Sequence, residues 1–261
     1  MIPKVIHYCW FGGGRIPAYL QECIDSWSAI MPNYKIKCWT EDNFDVNQIR
    51  FVKEAYDNRK FAFVSDYVRI YALYKEGGIY LDTDVIVKKK FDDFLNWNFV
   101  SAVEWHEDLF ERNKSNKMLD SDGKRLDPTI MDVVGCGILA AVIMSTRGCP
   151  LLKDILEYYE SQSFIQKKGS FNQLVSPAIF AVFAENYGFR YKNEEQHFGD
   201  GYAVYSSEIF ALKETASSET VALHIGNGSW IEDVTLKKKV SRFLKKNKLT
   251  NFLYKKIKGQ F

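Results

Sequence analysis

At 261 residues, with 46% hydrophobic and 26% charged side chains, the chain is long enough for one substantial core and has the composition of an ordinary soluble globular protein. Its net charge of +2 conceals an asymmetry, because Lys237–Lys258 carries ten basic and no acidic residues and the remainder has eight more acidic than basic ones. The longest apolar stretch, Val133–Met144, contains two glycines and falls well short of the about 20 residues a bilayer span needs.

From the amino end, KVIHYCWF is a short run of β-formers closed by Gly12-Gly13-Gly14, a buried strand entering a flexible turn. Lys4 and His7 interrupt it too early for a signal peptide. Pro17–Ile30 places Tyr19, Leu20, Cys23, Ile24 and Trp27 at helical spacing, a helix with one buried face. YKIKCW then alternates as a second strand, giving the strand–helix–strand opening of a nucleotide-binding α/β unit. Ile49–Tyr56 and Phe61–Lys75 read as helices, and Gly77-Gly78 stops the second. IYL follows as a short strand that delivers Asp82, and NFVSAVEW is another strand. Residues 106–130 are polar, with turn signals at Asp122-Gly123 and Asp127-Pro128, and read as a long mobile excursion. VVGCGILAAVIM returns as one buried β segment with a glycine-rich bend. Pro150–Tyr159 and Leu174–Tyr187 read as helices, Tyr202–Ile209 and Thr220–Ile225 as strands. The five cysteines form no C-x-x-C pair and read as reduced thiols of a cytosolic protein.

The chemistry is concentrated in GGIYLDTDVIV, where Asp82 and Asp84 close an apolar run. Two carboxylates one residue apart repel each other, so a cation, an ionised partner or solvent must offset the cost. A D-x-D at a strand end offers hard oxygen ligands to Mg²⁺ or Mn²⁺, but two solvated aspartates in a turn have the same sequence. A third reading, the phosphorylated aspartate of haloacid-dehalogenase-type phosphatases, conflicts with the eighty residues of α/β pattern that precede it.

The wider stretch FAFVSDYVRIYALYKEGGIYLDTDVIV resembles the signature of the DXD-containing sugar transferases of glycosyltransferase family 32, and also the glucosyltransferase domain of large clostridial toxins. S-D-x-x-R on a helix, E-G-G-x-Y and L-D-x-D occur in the same order. IHYCWFGG resembles those families' opening, ILAAVIMSTRGCPLLKDIL their apolar strand and helix start, and ALHIGNGSW their closing segment. The resemblance implies a GT-A fold, a Rossmann-like mixed sheet flanked by helices, over residues 1–235, with 236–261 as a basic amphipathic tail. It implies a retaining hexosyltransferase that moves a sugar from a UDP-sugar, UDP-galactose above all, by front-face substitution. A capsular or related surface polysaccharide on a lipid-linked glycan is the implied product. A toxin-like protein glucosyltransferase and a silent nucleotide-sugar-binding module are the alternatives.

Residue by residue, the resemblance places Trp10 against the uracil. Asp66 and Arg69, at i and i+3 and therefore on one helix face, are placed on the donor's sugar and ribose, with Tyr80 as wall. An ordinary surface ion pair is the alternative for Asp66 and Arg69. Asp82 and Asp84 are the metal ligands for Mn²⁺ or Mg²⁺, with His224 as a third, although this sequence lacks the second aromatic or histidine that often follows it. Ser229 and Trp230 are placed at the diphosphate, with Gly226 and Gly228 as hinges. Glu104, His106, Glu107 and Asp108 line the acceptor side or form a solvated acidic loop, and Gly135-Cys136-Gly137 admits a sugar or marks a bulge.

The tail KKKVSRFLKKNKLTNFLYKKIKGQF alternates lysines with Val240, Phe243, Leu244, Leu249, Phe252, Leu253 and Ile257. Such a helix lies in the headgroup plane of an anionic membrane, or docks on its own domain. With a nucleotide-binding body and no recognition fold, nucleic acid is excluded as a partner. The expected location is the cytoplasm, peripheral on the inner face of the cell membrane.

Overall fold

A computed structural model describes residues 1–166, 170–172 and 174–226. Ser229, Trp230 and the basic tail lie outside the described residues. Met1–Ile225 form one compact unit. Among the described residues, no helix is long and apolar enough to cross a membrane.

Strand β1 (Val5–Cys9) enters the core, helix α1 (Ala18–Ile30) crosses over, and β2 (Lys35–Trp39) returns parallel to β1. Helices α2 (Arg50–Asp57) and α3 (Phe61–Glu76) follow, then β3 (Gly78–Leu81), which joins the other side of β1 in parallel. Beyond the carboxylate turn come β4 (Val85–Val87) and β5 (Phe99–Trp105). Short helix α4 (Glu107–Arg112) leads to β6 (Cys136–Ile138) and β7 (Val142–Ser145). Helices α5 (Pro150–Ser161) and α6 (Ser176–Glu185) precede β8 (Gln196–Phe198), β9 (Tyr202–Tyr205), β10 (Phe210–Leu212) and β11 (Ala222–His224). The main sheet runs β2-β1-β3-β7-β5-β9-β8, with β6 on β5, and a second sheet runs β10-β11-β4.

This is the mixed α/β sheet flanked by helices that the sequence leads one to expect. Its strands alternate between two apolar layers. Tyr80, Phe99 and Val103 face α3, α5 and α6, whereas Ile79, Leu81 and Val100 face α1 and the small sheet. The Gly77-Gly78 pair has a packing reason. Gly77 ends α3 at φ +67, and a Cβ on Gly78 would lie 2.6 Å from the Val5 carbonyl oxygen and 3.0 Å from His7 Nε2. His7 is fully buried; its Nε2–H donates to the Gly77 carbonyl at 2.9 Å and its Nδ1 accepts from the Trp39 indole at 3.1 Å. Burial lowers its pKa, consistent with a neutral structural imidazole.

Two stretches differ from expectation. The apolar run 133–144 is two strands, not one, because Leu139, Ala140 and Ala141 leave the ladder between β6 and β7. The buried Ser101 hydroxyl bridges the break, 2.8 Å from the Leu139 carbonyl oxygen and 3.0 Å from that of Val142. Residues 106–130 are folded rather than a mobile excursion. Their polar groups bond within the protein: Asp120 accepts from the amides of Asp122 and Lys124, and the Arg125 guanidinium pairs with Glu185 at 2.8 Å, both side chains 5% exposed. The expected strand over Tyr202–Ile209 ends at Tyr205, and Phe210–Leu212 forms a separate strand.

Removing one partner of a buried ion pair strands the other charge, so Arg125→Met should cost about 3–5 kcal/mol. Arg125→Met combined with Glu185→Leu should recover most of that loss. Urea midpoints of the three proteins measure it, and a fully additive double mutant would show that the pair is not coupled.

Candidate metal and nucleotide-sugar site

Asp82 leaves the end of β3, and its amide donates to the Ala141 carbonyl at 2.9 Å. The chain turns at once, Val85 N–H donating to the Asp82 carbonyl at 3.0 Å, so the two aspartates occupy the first and third positions of one turn. After the turn β4 pairs antiparallel with β11, which sets His224 opposite Val85 and lets Ile225 N–H donate to the Asp84 carbonyl at 3.0 Å. Helix α1 fixes β4 from behind: the Trp27 indole donates to the Val85 carbonyl at 2.8 Å and the Ser26 hydroxyl accepts from Val87 N–H.

Ligand atoms of Asp82, Asp84 and His224 consequently lie within 4.8 Å of one another. His224 Nε2 is 3.2 Å from Asp84 Oδ1, while its Nδ1 is buried without a hydrogen-bond partner. Two carboxylates and an imidazole suit a borderline-hard divalent ion such as Mn²⁺, so the residues present fit the metal that the sequence pattern implies.

Beside them lies a buried guanidinium. Arg69, on α3, holds Asp66 at 3.0 Å and Asp82 at 3.4 Å with Nη2, donates from Nη1 to the Ala140 carbonyl at 2.7 Å, and sits 4.8 Å over the Tyr80 ring. Tyr80 is buried and its hydroxyl donates to Asp82 Oδ1 at 2.8 Å. The Arg69 and Asp66 side chains are only 7% and 14% exposed, so they are not the surface ion pair that helical spacing alone allows. The carbonyls of Ala140 and Ala141 were not legible in sequence, since a break in a strand is needed to turn them toward Arg69 and Asp82.

Residues 17–101 match the family model described as "Glycosyltransferase sugar-binding region containing DXD motif". That window contains Asp66, Arg69, Tyr80, Asp82 and Asp84; Trp10 and His224 lie outside it. An uncharacterized glycosyltransferase, L373, of Acanthamoeba polyphaga mimivirus is 28% identical over 61% of this chain and 66% of its own length. Inositol phosphoceramide mannosyltransferase 3 of Schizosaccharomyces pombe is 33% identical over 37% of this chain. The match spans only 28% of that yeast protein. The solved PaToxG glycosyltransferase aligns with a TM-score of 0.50 at 17% identity, over 71% of this chain and 69% of that one. The fold is GT-A.

Trp10 is half-buried just past β1, the neighbour of β3, with its indole N–H donating to the Gly14 carbonyl. The loop after it is pinned by Glu41, whose carboxylate accepts from Gly12 N–H at 2.6 Å and from the Tyr56 hydroxyl at 2.9 Å. Glu41 had no signal in the sequence. Gly135 and Gly137 serve packing: a Cβ on Gly135 would lie 2.5 Å from Phe110 N, and one on Gly137 2.9 Å from the Pro177 carbonyl oxygen. His106 lies between Glu104 (3.4 Å) and Glu214 (3.2 Å), whereas Glu107 and Asp108 are exposed.

The pKa values of Asp66 and His224 are both displaced. Burial raises Asp66 to about 6 from 3.8, the Arg69 charge opposing the rise and Asp82 adding to it. Burial would lower His224, but the bond to Asp84 and the charges of Asp84, Asp82 and Glu104 prevail and raise it to about 9 from 6.5. Both groups hold a proton more tightly folded than unfolded, so both make stability fall as pH rises. For Asp66 the fall spans about pH 4 to 6. For His224 the contribution is complete below pH 6.5 and is lost as pH climbs through 9.

In metal-free protein the His224–Asp84 pair should therefore contribute about 2–3 kcal/mol at pH 6 that is absent above pH 9. Urea midpoints in chelator across that range should show the decline, and His224→Gln should flatten it. An unchanged slope in the variant would assign the titration to another group.

Proposed function

We propose that the protein is a divalent-metal-dependent glycosyltransferase that takes its sugar from a nucleotide-sugar. The observation that carries this reading is the convergence of Asp82, Asp84 and His224 at a strand end, directly beside the buried Arg69–Asp66 pair. The carboxyl ends of strands in open α/β sheets are where such ligands bind. A divalent cation held by the three side chains would supply Lewis-acid stabilisation of the departing diphosphate.

The chain's own groups divide the remaining work. Asp66 accepts from hydroxyls of the donor sugar, and Arg69 fixes both Asp66 and Asp82, so that each presents a set oxygen to the donor. Trp10 stacks on the base, and Tyr80 closes the wall behind Asp82. The family 32 resemblance of ALHIGNGSW supports roles for Ser229 and Trp230 at the diphosphate, with Gly226 and Gly228 as hinges. With no side chain among the described residues identified as a nucleophile, transfer proceeds with retention by front-face substitution, the departing phosphate taking the acceptor's proton.

The motif order that resembles family 32 supports UDP-galactose as donor and a lipid-linked glycan of capsular or surface polysaccharide as acceptor. The basic, apolar-interleaved tail supports attachment to an anionic membrane at the cytoplasmic face. The yeast relative is a mannosyltransferase, which makes a mannose donor such as GDP-mannose the one to test against UDP-galactose.

Thermal shifts with UDP-, GDP- and dTDP-sugars, with and without Mn²⁺, decide the donor: a metal-dependent shift with UDP-galactose is expected, and a response to GDP-mannose alone would overturn the uridine assignment. Asp84→Ala should lower sugar-nucleotide turnover by about 10²-fold or more while circular dichroism stays unchanged. For the tail, protein truncated after Trp230 should no longer sediment with phosphatidylserine vesicles; undiminished sedimentation would refute the membrane role.

A further inference from the structure

Away from the carboxylates, the end of β5 and helix α4 enclose an open cavity of about 400 Å³, lined by Trp105, Glu107, Phe110, Glu111 and Asn116. We propose that it binds a neutral pyranose of the acceptor glycan, an assignment that rests on the glycosyltransferase reading.

The lining chemistry supports this choice. Trp105 and Phe110 are half-buried, with ring centroids 4.7 Å apart and planes inclined at 41°, forming an aromatic surface that stays partly open to solvent. The apolar C–H face of a pyranose packs on the electron-rich face of such rings. Glu107, Phe110 and Glu111 stand at i, i+3 and i+4, hence on one face of α4. Two carboxylates offer acceptors to sugar hydroxyls, and the Asn116 amide offers both a donor and an acceptor. Among the described residues no basic side chain lines the cavity, which argues against phosphate or another anion. The volume falls within the range of small-molecule sites.

The frame is rigid. His106 N–H donates to the Gly135 carbonyl at 2.9 Å, and the missing Cβ of Gly135 (φ +89) lets the first turn of α4 approach the backbone. Lys114 adopts a left-handed φ of +54, uncommon for a residue with a side chain. The next residue, Ser115, is buried and donates to the Val134 carbonyl at 2.7 Å, which fixes the turn carrying Asn116.

The test is saturation-transfer NMR on the full chain with the methyl α- and β-pyranosides of glucose, galactose and mannose, with tetramethylammonium as the cationic control. At least one pyranoside should give a signal that persists in saturating UDP and Mn²⁺. Trp105→Ala should weaken it by at least about fivefold. Glu111→Gln, a change at an exposed position, should also weaken it while leaving metal-dependent UDP-sugar hydrolysis and the melting temperature unchanged. Absence of any pyranoside signal, displacement by UDP, persistence in both variants, or a response to tetramethylammonium alone would each overturn the assignment. Loss of hydrolysis in the unmodified protein with pyranoside binding intact would instead remove the glycosyltransferase reading and leave the sugar site standing.

Discussion

A buried guanidinium sets the terms for the rest of the site. Arg69 is almost wholly withdrawn from water, and a charge so placed persists only when its partners hold it in good geometry. Five partners do so: Asp66 and the Ser65 carbonyl on its own helix, Asp82 at the next strand's end, the face of Tyr80, and the Ala140 carbonyl. They come from three constraints of the fold. The helix repeat supplies Asp66, the pleat of β3 brings Tyr80 and Asp82 to one side, and the interrupted strand turns the carbonyl inward. Displace any of these and Arg69 loses an interaction that water cannot restore.

The carboxylates gain their geometry from the same economy of means. Repulsion between Asp82 and Asp84 is divided rather than shared, since Asp82 answers to Arg69 and Tyr80 while Asp84 answers to His224. One aspartate is therefore committed to the helix layer and the other to the small sheet.

Much of this was legible in the chain itself. The spacing of Asp66 and Arg69 gave a common helix face, and the Gly77-Gly78 stop followed by three apolar residues placed Asp82 at a strand end. What escaped has physical causes. Strands β4, β8 and β10 have three residues each, too few to display alternation. A polar segment such as 106–130 has the same composition whether its groups face water or, like Arg125 and Glu185, one another. The break at Leu139–Ala141 is invisible because small apolar residues suit a strand and a bend equally well. The Ser101 hydroxyl, Arg69 and the Asp82 amide, all remote in sequence, show why the bend is tolerated.

The pairing of β4 with β11 has a consequence for how the site is assembled in time. Its register joins Val85 to His224 across more than half of the chain, whereas Asp66, Arg69, Tyr80 and Asp82 all lie within one local stretch. Contacts of long sequence separation carry the greater loop-closure entropy and tend to form late. The arginine-centred half of the site is thus available to an early folding nucleus, while the three-ligand half exists only once β11 has docked. A cation that engages all three ligands would then act as a latch on the last strand to arrive, holding the finished domain closed by mass action.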